Sequence, residues 1–380
     1  MNPDRSNESS ERHDPIRAVE RFWGARIPDP FRNLYLHYST PYIPPCEFFT
    51  LEAIAAGAGR AYGQLPQFLP FGRCVGNGGT YGFYLSPETE PGFWPVLYCD
   101  DDELFFRPVS SNFESFLRHC IATGRYETTD QYESEQDRES ALHELQLTCN
   151  TLLLDPAGKY AELLSGRVSR NEAELYQLFA NADPTDGYSL CWLGCARRGL
   201  GDSDRALDFF HRAVESAQWF GDASYLLADM YRELGKLDRA VQGWWSVVKS
   251  LLPLCTRTWE WDLGADHPEA EIYEIAADAL SQFSSYASPE MRSSALWTIA
   301  TTEDPYNPSA REDYGKALMA TGNLREAERE LLNALSLCAD DRGRQSVRIY
   351  ALLQELYTIQ NRDRDRSLVV FDSSLPRPKH

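Results

Sequence analysis

Few residues in this chain are spaced as if to do chemistry. The run Gly76-Asn77-Gly78-Gly79-Thr80-Tyr81-Gly82 has the glycine content of a phosphate loop. Such a loop needs a helix N-terminus aimed at the anion and a Lys-Ser/Thr pair at its end. Here a strand pattern follows and the pair is missing, so the run reads as a hairpin turn. Cys191 and Cys195 stand at i, i+4 and could face one metal from a helix, but no His or further Cys lies at ligand spacing, which favours apolar or groove-lining thiols. His143-Glu144 lacks the second His of H-E-x-x-H, and there is no G-x-S-x-G elbow or Cys-His signature. The expectation is therefore a non-enzyme with no catalytic residue, no cofactor and no metal. What remains is the acidic run Asp100-Asp101-Asp102-Glu103, between two strand patterns, the first opening at Trp94. It reads either as a solvated loop tip or as an anionic hot spot for a basic partner.

Composition narrows the partners. The 380 residues are 43% hydrophobic and 12% aromatic, enough for two or three domains with full cores. The formal charge of −20 should keep the chain soluble and repel nucleic acid and anionic membrane, so direct nucleic-acid or membrane binding is not expected. The acidity is uneven. Asp14 to Tyr126 has 9 basic and 12 acidic residues, whereas Glu127 to His380 has 26 and 42. The nine cysteines are scattered without a C-x-x-C, as expected of reduced thiols in a cytoplasmic protein. Met1 to His13 is polar with no apolar run for a signal peptide and is expected to be disordered; no stretch nears the ~20 apolar residues of a membrane helix.

The elements that would position these residues change in kind along the chain. Asp14-Pro15 can cap and open a helix through Ile16, Val19, Phe22 and Trp23; Ile27-Pro28-Asp29-Pro30 interrupts it, and a second helix runs through Phe31, Leu34 and Tyr35. Alternation then marks three strands, at Tyr81-Phe83-Leu85, Trp94 to Tyr98 and Leu104 to Phe106, the first two joined by a turn at Ser86-Pro87-Glu88 and Pro91-Gly92. Ser111-x-x-Glu114 could form a capping box for a closing helix through Phe113, Phe116 and Leu117. Two helices, a small antiparallel sheet and a closing helix make an α+β domain over residues 14–126.

The order helix, Ile-Pro, helix with Leu-Tyr, Phe68-Leu69-Pro70-Phe71-Gly72, Gly-rich hairpin, Trp-Pro-Val, acidic turn and Ser-x-Phe-Glu-Ser-Phe-Leu resembles the SUKH superfamily over roughly Ile16 to Cys120. These are the Smi-Knr type domains of fungal cell-wall regulators and bacterial toxin-immunity proteins. The resemblance implies a protein-binding domain rather than an enzyme.

Residues 127–182 read as an acidic linker and a helical lead-in, with helices at Ala141 to Leu154, Tyr160 to Leu164 and Glu172 to Phe179. A repeat follows. Leu193-Gly194, Gly201, Ala206, Phe210 and Ala213 recur 34 residues on as Leu227-Ala228, Gly235, Ala240, Trp244 and Val247. A fixed period with small, bulky and turn positions in register marks a helical-hairpin array, since one hairpin cannot bury its own apolar face. A third copy, Tyr314-Gly315, Gly322, Ala327, Leu331 and Ala334, lies 87 residues beyond the second, off the period. The gap must hold an irregular insertion near 254–268, including the Trp-rich Thr258 to Asp266, and a degenerate helix pair, Glu269 to Tyr286 and Ser288 to Thr301. Val347 to Ile359 reads as a capping helix that ends an all-α array over 183–360, with a loose tail at 361–380 in which Leu368 to Phe371 could dock.

These repeats resemble the tetratricopeptide (TPR) pattern, which implies that the first helix of each repeat lines a concave binding face. Carried over, that face is Tyr188, Cys191, Cys195 and Arg198; then Asp222, Tyr225, Asp229 and Arg232; then Ser309, Glu312, Lys316 and Met319. Mixed charge with tyrosines suits a protein or peptide rather than a small molecule. The joint expectation is a cytoplasmic protein-binding protein, an immunity protein for a basic toxin such as a nuclease, or alternatively a regulatory scaffold.

Overall fold

The computed structural model describes residues 14–39, 41–43, 45–75, 78–85, 94–100, 105–120, 172–255, 271–302, 304–338 and 344–375. The expected disordered start, the turn at 86–93, Asp101 to Glu103, the linker and helices before Glu172 and the Trp-rich loop lie outside these residues. The fold divides into two compact units. One is drawn from Met1–Arg60, Phe68–Asp101 and Val109–Ala182, the other from Ala61–Gln67, Asp102–Pro108 and Asp183–His380.

In the first unit, α1 (Pro15–Trp23) starts as its sequence suggests: Pro15 occupies the first turn, and Asp14 Oδ1 accepts from the backbone amide of Ile16 at 3.0 Å. The Ile-Pro break is held by Glu20, whose carboxylate accepts from the amide of Ile27 at 3.2 Å and from Arg32 Nη2 at 2.8 Å, fixing where α2 (Asp29–His37) begins. Then come β1 (Tyr42–Ile43), β2 (Cys46–Phe48), α3 (Leu51–Ala55), β3 (Phe68–Cys74), β4 (Thr80–Tyr84), β5 (Val96–Asp100), β6 (Phe105–Ser110, of which Phe105 to Pro108 count with the other unit), α4 (113–120) and α5 (Glu172–Ala182).

The sheet has six strands in sequential order rather than the three expected. Its pairs are antiparallel from β1 through β5, with Glu47 opposite Arg73, Leu69 opposite Phe83, and Phe83 opposite Val96. Gly78 and Gly79 lead into β4 from the β3–β4 turn: the Cys74 amide donates to Gly79 O at 2.7 Å, and Gly78 takes φ +82°. The proposed capping box is replaced by Asn112, whose Oδ1 accepts from the Ser115 amide at 2.9 Å. Ser110 Oγ donates to the Asn112 carbonyl at 2.9 Å and so fixes the capping residue.

The core is aromatic. Phe31, fully buried, has Trp23, Tyr35, Phe71, Phe83 and Phe113 with ring centroids within 5.0–5.9 Å.

The second unit stacks helical hairpins: α6 (Gly187–Gly199) with α7 (Ser203–Ser216), α8 (Gly221–Glu233) with α9 (Leu237–Val248), and α13 (Pro308–Ala320) with α14 (Leu324–Leu337). Between the second and third come a 3-10 turn (Leu252–Leu254), α10 (Ile272–Gln282), α11 (Pro289–Arg292) and α12 (Ala295–Thr301). The repeat positions read from the sequence meet in space. Ala206, Ala240 and Ala327 are fully buried, as are Phe210 and Leu331, with Trp244 nearly so. A Cβ on Gly194 would stand 2.3 Å from the Phe210 ring, so this helix pair packs only because that position is glycine. The turn glycines Gly201, Gly235 and Gly322 all have φ between 69° and 80°. Asn333 Oδ1 accepts from the Leu252 amide at 2.8 Å, and Arg329 Nη1 donates to Lys249 O at 3.1 Å, tying the third hairpin to the end of the second across the off-period gap.

Residues 361–375 are not a loose tail, and the rest of the expected tail lies outside the described residues. α15 (Arg344–Ile359) and α16 (Asp363–Ser373) form a fourth hairpin, with Leu368 and Val369 buried. Its turn repeats the other three. The amides of Asp202, Lys236, Asn323 and Arg362 donate to the carbonyls of Arg197, Tyr231, Leu318 and Tyr357, five residues back in each case. Asn361, at φ 56°, supplies the left-handed residue that glycine supplies elsewhere.

Candidate functional site

The candidate concave residues separate into two charged clusters. In the first, α6 and α8 are joined by Arg198, whose Nη2 donates to Asp229 Oδ2 at 2.5 Å and also to Glu233 Oε1. Arg232 binds the other oxygen of the same carboxylate, Nε to Asp229 Oδ1 at 2.8 Å. Burial alone would lower the Arg198 pKa, but hydrogen bonding to Glu233 and the charge of Asp229 outweigh it and hold the guanidinium charged. Tyr225 is buried beside this cluster, with its hydroxyl pushed up by burial and by Asp229. In the second cluster, Glu312 accepts from Arg348 Nη2 at 3.2 Å and from Gln345 Nε2 at 3.1 Å, and pairs with Lys316 Nζ at 2.6 Å. Burial pushes the Glu312 carboxyl up, but its bonds to Arg348 and Lys316 prevail and set it below the usual range.

This arrangement corrects several site assignments. Asp222, Tyr225, Asp229 and Glu312 are buried, so they are not open ligand contacts. Asp229 and Glu312 each bind an arginine from a neighbouring repeat, Arg198 and Arg348, because a carboxylate facing the next hairpin must be neutralised to be buried. Trp94 is a core residue packed edge-on against Trp23 and Phe83, with centroids 6.5 and 5.7 Å away. Tyr188 is half-buried, its ring 6.5 Å from Trp192. Arg198 is half-buried in its cluster, and Arg232 is exposed. Asp100 is half-buried at the end of β5, while Asp101, Asp102 and Glu103 lie outside the described residues. The sequence reading missed Glu233, Gln345 and Arg348, which complete the clusters; for Glu233 the signal was its i, i+4 spacing from Asp229.

Asp186, just ahead of α6, is another buried carboxylate. Burial raises its pKa to about 7, against the opposing hydrogen bond from Ser189 Oγ at 2.6 Å. Because the folded pKa exceeds the ordinary value of 3.8, the folded state binds the extra proton between these values. The contribution to stability is fully present below about pH 4 and is lost as pH rises through about 7. Asp186→Asn should therefore flatten the fall in stability between pH 5 and 8, as measured by urea denaturation at several pH values. An unchanged pH slope would refute this reading.

Among the described residues no group of three or more His, Cys, Asp or Glu is placed to hold a metal ion, and no helix is long and apolar enough to cross a membrane. Those residues therefore offer a charged, stacked-hairpin surface and an aromatic α+β core. Residues 13–119 match the SMI1 / KNR4 family (SUKH-1). The SUKH-type region thus takes in α1 to α4 and the whole six-stranded sheet. No curated protein is significantly similar to the chain. Among solved structures, one titled "Crystal structure of YrrB: a TPR protein with an unusual peptide-binding site" is 13% identical, covering 53% of this chain and 100% of that one with a TM-score of 0.24. A SUKH-type domain followed by stacked helical hairpins points to protein–protein interaction.

Proposed function

We propose that this chain is a non-catalytic protein-binding protein that acts as an immunity protein, neutralising a basic toxin domain, a nuclease being one such class, by direct stoichiometric binding in the cytoplasm. The observation that carries this reading is the SUKH-1 match at residues 13–119, combined with a net charge of −20. An acidic protein steers a basic partner into encounter and occludes its active surface without chemistry of its own. The acidic run from Asp100 to Glu103 is assigned to the charged part of that contact, and exposed array residues such as Arg232, which keeps its pair with Asp229, to its rim.

Co-expression of the chain with toxin genes from its own genome tests the proposal. Rescue of growth together with co-purification of a 1:1 complex is the expected result; absence of both for every candidate toxin rejects it. With a cognate partner in hand, the association rate should fall at least about tenfold between low salt and 0.5 M salt, where the Debye length shrinks to a few ångströms. A salt-independent rate measured by stopped flow would contradict charge steering. The stacked hairpins favour a second reading, a regulatory scaffold that recruits partners through its array. Recovery of signalling or envelope proteins instead of a toxin would select it.

A further inference from the structure

The helical unit includes seven residues from far upstream in the sequence, Ala61–Gln67, and they are bound to it as a ligand would be. Tyr62 Oη donates to Ser346 Oγ at 2.6 Å, and its ring meets Tyr350 edge-on at 5.4 Å. The Gly63 amide donates to Tyr350 Oη at 3.1 Å. Gln67 Nε2 reaches both Glu328 Oε1, at 3.0 Å, and Tyr357 Oη, at 2.7 Å. Tyr357 Oη also donates to Glu328 Oε1 at 2.9 Å, and Arg362 closes the network on Glu328 Oε2. Every one of these residues except Arg362 is buried or, for Gly63, makes a buried hydrogen bond. The segment is preshaped: Gln64 Oε1 accepts from the Ala61 amide at 2.9 Å, and Gly63 takes φ 87°.

Ser346, Tyr350 and Tyr357 fall at i, i+4 and i+11 on α15, one stripe of that helix. Glu328 comes from α14 alongside it. The stripe recognises its occupant by polar groups rather than by apolar area, reading a tyrosine hydroxyl, a backbone amide and a glutamine amide five residues after the tyrosine. Buried polar groups of this kind specify one partner, because any other leaves them unpaired.

We propose that the α14–α15 face is a recognition slot for a turn-forming peptide with this tyrosine-to-glutamine spacing, and that in the folded chain Ala61–Gln67 occupies it and holds it closed. This goes beyond the immunity reading and does not depend on it. A partner segment of the same chemistry gains access to the slot only when the resident one leaves.

Amide hydrogen exchange on the full chain tests the proposal. Gln67→Met keeps the side-chain volume and removes both hydrogen bonds to Glu328 and Tyr357. It should speed exchange of the α15 amides about tenfold or more while leaving residues 187–248 unchanged. Tyr62→Phe, a milder change that removes one hydroxyl, should raise exchange in the same helix by less. A synthetic peptide with the sequence of residues 60–68, added in millimolar excess to the Gln67→Met chain, should restore the protection. Unchanged α15 exchange in both variants, a rise spread equally over residues 187–248, or no restoration by the peptide would overturn the proposal.

Discussion

Phe31→Ala is expected to destabilise the SUKH-type unit by about 3–5 kcal/mol, which is comparable to the whole stability of many domains. The ring is completely buried and is the meeting point of α1, α2, β3, β4 and α4, through Trp23, Tyr35, Phe71, Phe83 and Phe113. These neighbours are rings fixed by their own packing, Phe71 to Phe83 at 4.8 Å and Phe71 to Phe113 at 5.5 Å, so they cannot collapse into the space left behind. The edge-on geometries add to the cost, since each such pair contributes about 0.5–1.5 kcal/mol beyond its buried area. Exchange of the β3 and β4 amides, measured with urea denaturation by near-UV dichroism, would register the loss. Leu36→Ala is the control: that residue is 67% exposed and should change stability by no more than about 0.5 kcal/mol. A loss below about 1 kcal/mol at Phe31 would show that the core rearranges and that Phe31 is not its hub.

The sequence displayed the array more clearly than the sheet, and the reason is physical. A helical hairpin repeats its constraints, so Ala206 and Ala240 identify each other, whereas β1 and β2 are two and three residues long and carry no period. In β3 both faces are buried through Phe68 to Gly72, and the register shifts between Pro70 and Gly72, so the alternation that marks a half-exposed strand is absent. The fourth hairpin was hidden because its turn uses Asn361 in place of glycine and its second helix begins with alternating Arg and Asp. Those charges look solvent-facing in sequence, yet Asp365 is buried against Arg362 and Arg364. The candidate site suffered from the same blindness. Repeat register correctly places Arg198, Asp229 and Glu312 on first helices, but only tertiary structure shows that Arg198 and Arg348 consume the carboxylates.

Arg311 carries the largest effect expected in the helical unit. Its side chain and that of Glu330 are both fully buried, with Nη1 to Oε2 at 2.7 Å. Arg329 Nε holds the second carboxylate oxygen at 2.8 Å, while Arg311 Nε donates to Pro305 O at 3.2 Å and Nη2 donates to Tyr273 Oη. Burial alone would lower the Arg311 pKa, but Tyr273 and Glu330 raise it further and keep the guanidinium charged. Arg311→Met leaves Glu330 in the interior with one of its two cationic partners gone, which should cost about 3–5 kcal/mol. Glu330→Leu should cost a similar amount by stranding Arg311. The double variant Arg311→Met/Glu330→Leu removes both charges and fills the space with apolar atoms, so it should be more stable than either single variant. Urea denaturation of all four chains measures the coupling directly. If the two single costs simply add, the pair is not a unit, and the buried charge is being compensated elsewhere.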